Sequence, residues 1–315
     1  MENGLAPWRP LLAAPFFETL RRRLEDGGGG TCVSGLVEGA RALVLTALSR
    51  VSSTKILLVV PEDATLDRWR RDLAAASILT GGDPDRIALL PALDADPYGG
   101  LAPHPEVVRE RVLVLQRLAL GDVDLLLLPA RALLNPLPSP AEWKARIRTI
   151  RKDATLAPNQ FVLDAIKLGY RRVDIVSGPG EVSRRGGIID LFPPTADEPV
   201  RIELFGDTVD SLRSFDTDNQ RSTGRLDQVT VTPASENPPT DDAVRRVQRF
   251  LQDSADRAVA EGDSIRPFRD LLERLQEQGD WPGFEALTRM TCAEAGPPTT
   301  RFTARPWPSW PGMPS

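Results

Sequence analysis

The sequence holds one histidine, His104, and two cysteines, Cys32 and Cys292, which stand far apart and fit no ligand spacing. His104, in a proline- and glycine-rich loop with no nucleophile pattern around it, is poorly placed to serve a Ser-His-Asp triad. Two isolated cysteines make neither a zinc ribbon nor a structural disulfide. No catalytic residue, no metal and no cofactor are therefore expected, and the cysteine usage suits a reducing compartment. No apolar run approaches the about 20 residues of a membrane span. The opening MENGLAPWRPLLAAPFF lacks the basic start and apolar centre of a secretory leader, so no membrane partner and a cytoplasmic location are expected. Positive charge is not in excess either. The formal net charge is -5, with both signs interspersed, which argues against a broad nucleic-acid surface.

What is present is ordinary for a soluble protein, and 315 residues allow about two domains. The first part reads as alternating helices and strands. Residues 12–25 predict a helix with Phe16, Phe17, Leu20 and Leu24 on one face and Arg21, Arg22 and Arg23 on a solvated one. A short strand is expected at Thr31–Ser34, and a helix at Ala40–Val51. Lys55–Val60 is an apolar run of the kind buried on both faces of a parallel sheet. Asp63 is placed to cap the helix that carries Trp69 and Leu73. Further strands are expected at Ile87–Pro91 and Asp122–Pro129. Strands alternating with helices imply an α/β domain with a parallel sheet.

Gly35-Leu36-Val37-Glu38-Gly39-Ala40-Arg41-Ala42 lies where a phosphate-binding loop of the form G-x-x-x-x-G-K-[ST] would lie. That loop needs a glycine for close backbone approach, a lysine charge and a hydroxyl for magnesium. Gly35 keeps the first glycine and Gly39 stands one place before the second, but Ala40, Arg41 and Ala42 replace the rest, and Glu38 adds negative charge. The segment reads as a degenerate nucleotide site.

Leu134–Pro140 (LNPLPSP) is a proline-rich hinge and Thr232–Thr240 (TPASENPPT) a second. Between them, Gly169–Arg221 reads as a compact antiparallel meander. Val173 and Ile175 alternate on its first strand, and Ser177-Gly178-Pro179-Gly180 is turn chemistry. A second strand runs through Val182, is interrupted at Gly186-Gly187 by a bulge or a close backbone approach, and carries Ile189 and Leu191 on one face with Asp190 and Phe192 on the other. Val200, Ile202 and Leu204 form a third strand. Val209 and Leu212 are three apart on a fourth, which predicts a bulge there. Glu203 and Asp210 flank the last hairpin as exposed acids, with no nucleophile or base beside them. After the second hinge, 241–260 and 264–278 read as amphipathic helices, and the Pro/Trp-rich end with Trp307 and Trp310 as a loose tail.

RRGGIIDLFPP, then VRIELFGDTVDSLRSFD and QRS, resembles the UvrB-homologous module of the bacterial transcription-repair coupling factor (Mfd) family. ADPYGGLAPHPE before the helix at Pro105 is similar to the same family, with Asp96, Tyr98 and His104 fixing a loop and a helix start. The resemblance implies a helicase-like α/β domain (1–140) and an inserted small α+β domain with an antiparallel sheet (141–232). A helical return to the first domain would follow (233–290), then a tail (291–315). It also implies a non-enzymatic adaptor fragment that recruits UvrA by mimicking UvrB. Full-length family members are ATP-dependent DNA translocases, and their contacts with RNA polymerase and DNA lie in regions with no counterpart in this chain. Arginines form bidentate pairs with carboxylates and aromatics supply hot spots. The candidate docking residues are Arg185 first, then Arg184, Arg171, Arg201 and Phe192. An ATP-dependent DNA-processing enzyme and a sequence-independent DNA-binding module are the rival readings. A nucleotide-hydrolysis assay with DNA present is expected to show no turnover above background, and DNA-stimulated turnover would overturn the degenerate-site reading.

Overall fold

The structure, a computed structural model, describes residues 9–25, 31–51, 55–93, 103–134, 137–236, 238, 241–278 and 287–288. Asp96, Tyr98, Cys292, Trp307 and Trp310 lie outside the described residues. Two compact units divide the described chain, one drawn from stretches of Met1–Ala92 and Leu120–Leu134, the other from Leu93–Ala119 and Asn135–Ala295.

The first unit contains helices α1 (Arg9–Leu12), α2 (Pro15–Glu25), α3 (Glu38–Val51) and α4 (Leu66–Leu79). Its parallel sheet is β1 (Ile56–Val60), β2 (Ile87–Leu89) and β3 (Leu125–Pro129), in the order β1-β3-β2. The apolar run of β3 fits its central place, with Leu125 to Leu128 each at most 1% exposed. β1 has the same kind of sequence but lies at an edge among the described strands, so its Val59 is exposed rather than covered. Ala42 of α3 and Leu73 and Ala76 of α4 pack on Val60, Leu125 and Leu127.

Three local expectations are corrected in this unit. On α2 only Phe17 and Leu20 are buried, against Val44, Ala47 and Leu48, while Phe16 and Leu24 face solvent because the contact with α3 is one narrow stripe. Thr31–Ser34 forms no strand. Asp63 does not cap α4; it opens a short 3-10 turn and pairs with Arg131 at 2.5 Å. The arginines of α2 are solvated as expected, with Arg21 bridging Glu18 and Glu25.

The second unit begins with α5 (Pro105–Leu120) and α6 (Pro140–Arg146). Pro105 opens its helix as its fixed φ favours, and the His104 imidazole accepts from the Glu106 amide at 3.3 Å. Ser139 and Glu142 form a reciprocal capping box on α6, with Pro140 as the first helical residue. The indole of Trp143, 1% exposed, donates to Gln116 of α5 at 2.9 Å.

Next come β4 (Arg148–Arg151), α7 (Pro158–Lys167), β5 (Arg171–Arg172), β6 (Glu181–Arg185), β7 (Ile188–Leu191), β8 (Val200–Phe205), β9 (Thr208–Phe215), β10 (Ser222–Arg225) and β11 (Gln228–Val231). Six of these strands form one sheet in the order β10-β9-β8-β7-β6-β5, and β4 pairs with β11 in a separate ribbon. The sheet is antiparallel except that β5 runs parallel to β6. The expected first strand therefore shrinks to Arg171–Arg172, and Ile175 is exposed. Gly186-Gly187 is not a bulge but a two-residue hairpin turn between two separate strands, with Gly186 in the left-handed region at φ +61°, and the close backbone approach expected there is present at Gly187, where a Cβ would lie 3.0 Å from the Leu204 carbonyl oxygen. The bulge expected on β9 is present: Glu203 pairs with Ser211 and Leu204 with Val209, which leaves Asp210 as the extra residue.

One sheet face is apolar at every second position. Val182, Ile189, Leu191, Val200, Ile202, Val209 and Leu212 pack there with Phe161, Val162 and Ala165 of α7 and with Ile150, Val229 and Val231 of the ribbon. Helices α8 (Asp241–Glu261) and α9 (Arg266–Gln278) follow as a hairpin sealed by Val247, Leu251, Leu271 and Leu275.

The connector leading from β11 towards α8 is anchored to α5 by Arg111 and Glu236, both with fully buried side chains, which form a two-pronged ion pair. Removing one partner of a buried pair strands the other charge without water. Glu236→Ala is expected to cost about 3–5 kcal/mol in urea unfolding. The double variant Arg111→Met/Glu236→Leu should recover most of it, because apolar groups leave no orphaned charge.

Candidate functional site: the outer face of the antiparallel sheet

The strand period of two that sends Ile189, Leu191 and Ile202 into the core sends Ile188, Asp190, Arg201, Glu203 and Phe205 to the opposite face. At its centre is Asp190, only 1% exposed. Its carboxylate accepts from Arg201 Nε at 2.7 Å and Nη2 at 2.9 Å, and from Arg185 Nη2 at 2.9 Å. The Asp190 hydrogen bonds hold the Arg201 guanidinium above its ordinary pKa. Arg201 also donates to the carbonyl of Gln220 at 3.1 Å and stacks 4.6 Å over the ring of Phe215. The side chain of Arg185 remains about half exposed.

The other predicted arginines do not join this pair. Arg171 contacts Glu181 at the β5 edge. Burial works against the Glu181 charge, but amides of Ser177 and Gly178 and the Arg171 guanidinium outweigh it and hold the carboxyl below its usual range. Arg184 pairs across the sheet with Ile189, so it stands on the opposite face, where it reaches Asn159 of α7 and the Gly186 carbonyl.

Phe192 is not an exposed anchor. At 9% exposure it packs against Val176 and Phe215, because the segment after β5 folds over that end of the sheet. The exposed aromatic of this sheet is Phe205, 85% exposed beside the Gly206-Asp207 turn. Its flank is bare by construction: the Leu204 amide bonds to the Gly187 carbonyl at 2.8 Å, so the neighbouring hairpin turn offers glycines and no side chain. The signal for Phe205 was in the alternation itself. If Val200, Ile202 and Leu204 face inward, Arg201, Glu203 and Phe205 face outward.

Glu203 and Asp210 form no acid pair. Glu203 accepts from Ser211 and lies 3.7 Å from Arg213, while Asp210 is the exposed bulge residue. The degenerate-loop positions also resolve into ordinary structure. Gly35 precedes α3 with φ +80°, and Gly39, Ala40, Arg41 and Ala42 lie within its first turns. Glu38 pairs with Arg68 at 2.6 Å, and Ala42 is buried in the sheet core, where its methyl fills space beside Val60 and Leu73. Among the described residues no helix is long and apolar enough to cross a membrane.

Comparison with known proteins places this face within a named module. Residues 149–237 match the family model of the UvrB interaction domain. The transcription-repair-coupling factor of Bacillus subtilis (strain 168) is 34% identical over 221 residues, covering 70% of this chain and 18% of the relative. That of Staphylococcus aureus (strain bovine RF122 / ET3-1) is 31% identical over 226 residues, covering 72% of this chain and 19% of the relative. The matched region thus spans about a fifth of the length of these curated relatives.

Asp190→Ala is expected to cost more stability than Arg185→Ala. It leaves Arg201, mostly buried, without a counter-ion, whereas Asp190 keeps Arg201 when Arg185 is lost. Thermal unfolding of the two variants checks the order, and equal Tm values would show that Asp190 does not organise the face.

Proposed function

Since the chain carries a UvrB interaction domain and is a relative of transcription-repair-coupling factors over most of its length, we propose that it is a non-catalytic adaptor of transcription-coupled nucleotide-excision repair that recruits UvrA by presenting a UvrB-like surface. The observation that carries the reading is the pairing, on one sheet face of that domain, of an 85%-exposed Phe205 with a half-exposed, pre-oriented Arg185. Interface hot spots combine aromatic or arginine anchors with a rigid surround. Here the surround is the Asp190–Arg201–Phe215 stack, already ordered before any partner arrives.

Ala40, Arg41 and Ala42 support the non-catalytic part of the reading. No lysine stands at the phosphate position, and no hydroxyl stands at the magnesium position. The DNA-binding rival finds little support in a net charge of -5 and in arginines already engaged by carboxylates.

Binding to purified UvrA tests the proposal. The folded wild-type chain should bind. Phe205→Ala and Arg185→Ala should each weaken binding at least tenfold, about 1.4 kcal/mol, with circular dichroism unchanged. Phe192→Ala should instead lower Tm, as expected for a buried ring. A folded wild-type chain that does not bind UvrA would sink the adaptor reading.

A further inference from the structure

The outer sheet face carries a row of residues standing directly opposite one another on four neighbouring strands: Asp190 on β7, Arg201 on β8, Arg213 on β9 and Arg225 on β10. Opposed side chains on adjacent strands have Cβ atoms about 5 Å apart, and like charges so placed repel. Asp190 neutralises the first arginine of the row and Arg185 as well. Among the described residues Arg213 has only the loose contact with Glu203 at 3.7 Å and the Ser211 hydroxyl at 3.4 Å. Arg225 makes no ion pair among the described residues, and all four residues of β10 are exposed at the open edge of the sheet. The positive charge that the fold leaves uncompensated on this row is therefore concentrated at Arg213 and Arg225. Arg172 and Arg221 are also exposed, but neither stands opposite a second arginine.

Two guanidiniums side by side form a clamp for one carboxylate, each able to donate two N–H groups. We propose that Arg213 and Arg225 are a second contact region of the docking face, a clamp that receives a carboxylate from an acidic stretch of the protein partner. This inference rests on the docking reading and adds to it the chemistry of the partner surface: carboxylates facing β9 and β10, beyond the apolar contact at Phe205. Exposed charges of this kind act mainly on association. Leaving two like charges opposed costs the free protein stability, a cost recovered when the partner binds.

The test uses the full chain and purified UvrA, with kinetics measured at several salt concentrations. Arg225→Glu is expected to slow association about tenfold, to change dissociation less than about threefold, and to flatten the salt dependence. Arg225→Gln is expected to raise Tm by about 1–3 °C, because it removes the like-charge contact. A lower Tm together with unchanged binding would mean the arginine is structural and would overturn the clamp. If Arg225→Glu binds UvrA within twofold of wild type while Arg185→Ala has lost binding, the clamp fails and the docking reading stands. If Arg225→Glu leaves UvrA binding intact but abolishes retention on a DNA duplex, the row serves phosphate and the clamp assignment is overturned. If the folded wild-type chain does not bind UvrA, both readings fall together.

Discussion

The charge of Asp190 is the constraint on which the outer face of the antiparallel sheet depends. Strand alternation turns this residue away from the apolar core, yet the strands and the arginines above it leave only 1% of its surface exposed. A carboxylate so enclosed is tolerated only when its lone pairs are taken up. Arg201 supplies a two-pronged contact and Arg185 a third hydrogen bond. In meeting that demand the sheet also fixes both guanidiniums. Arg201 is locked between Asp190, the Gln220 carbonyl and the Phe215 ring, while Arg185 is held at one end and open at the other. A side chain immobilised during folding loses little further entropy on binding.

The division of labour on this face follows from which groups are already satisfied. Phe192 and Phe215 are spent on packing one end of the sheet, and Arg201 and Arg171 on carboxylates. What remains available is the aromatic ring of Phe205 at the hairpin tip, the free side of Arg185, and the unneutralised end of the arginine row. An apolar anchor flanked by directional charge is the composition expected of a protein-docking patch. The parallel-sheet unit makes a contrast. There Ala42 of α3 is part of the core, and Glu38 at the start of the same helix is paired with Arg68.

Much of the fold was legible in the residues. The all-apolar β3, the start of α5 at Pro105, the turn at Gly206-Asp207 and the bulge on β9 each follow from local chemistry: proline and glycine dihedrals, an unbroken apolar run, and a period of two that slips by one. The motif from Arg184 to Arg221 likewise resembles a UvrB-like module by itself.

Tertiary structure decided what depends on neighbours distant in the chain. β1 and β3 read alike, yet one is an edge strand and the other central, since sheet order is set by packing rather than by strand composition. Phe192 and Phe205 read alike too, yet the fold buries the first and exposes the second. The burial of Phe192 comes from Val176, on a segment that doubles back over the sheet, and the exposure of Phe205 from a glycine turn on the adjacent hairpin. The sequence by itself determined which residues alternate and which charges exist. Only the fold decided which of them are covered and which charges are already paired, because pairing and coverage come from strand register and long-range contacts that no local pattern encodes.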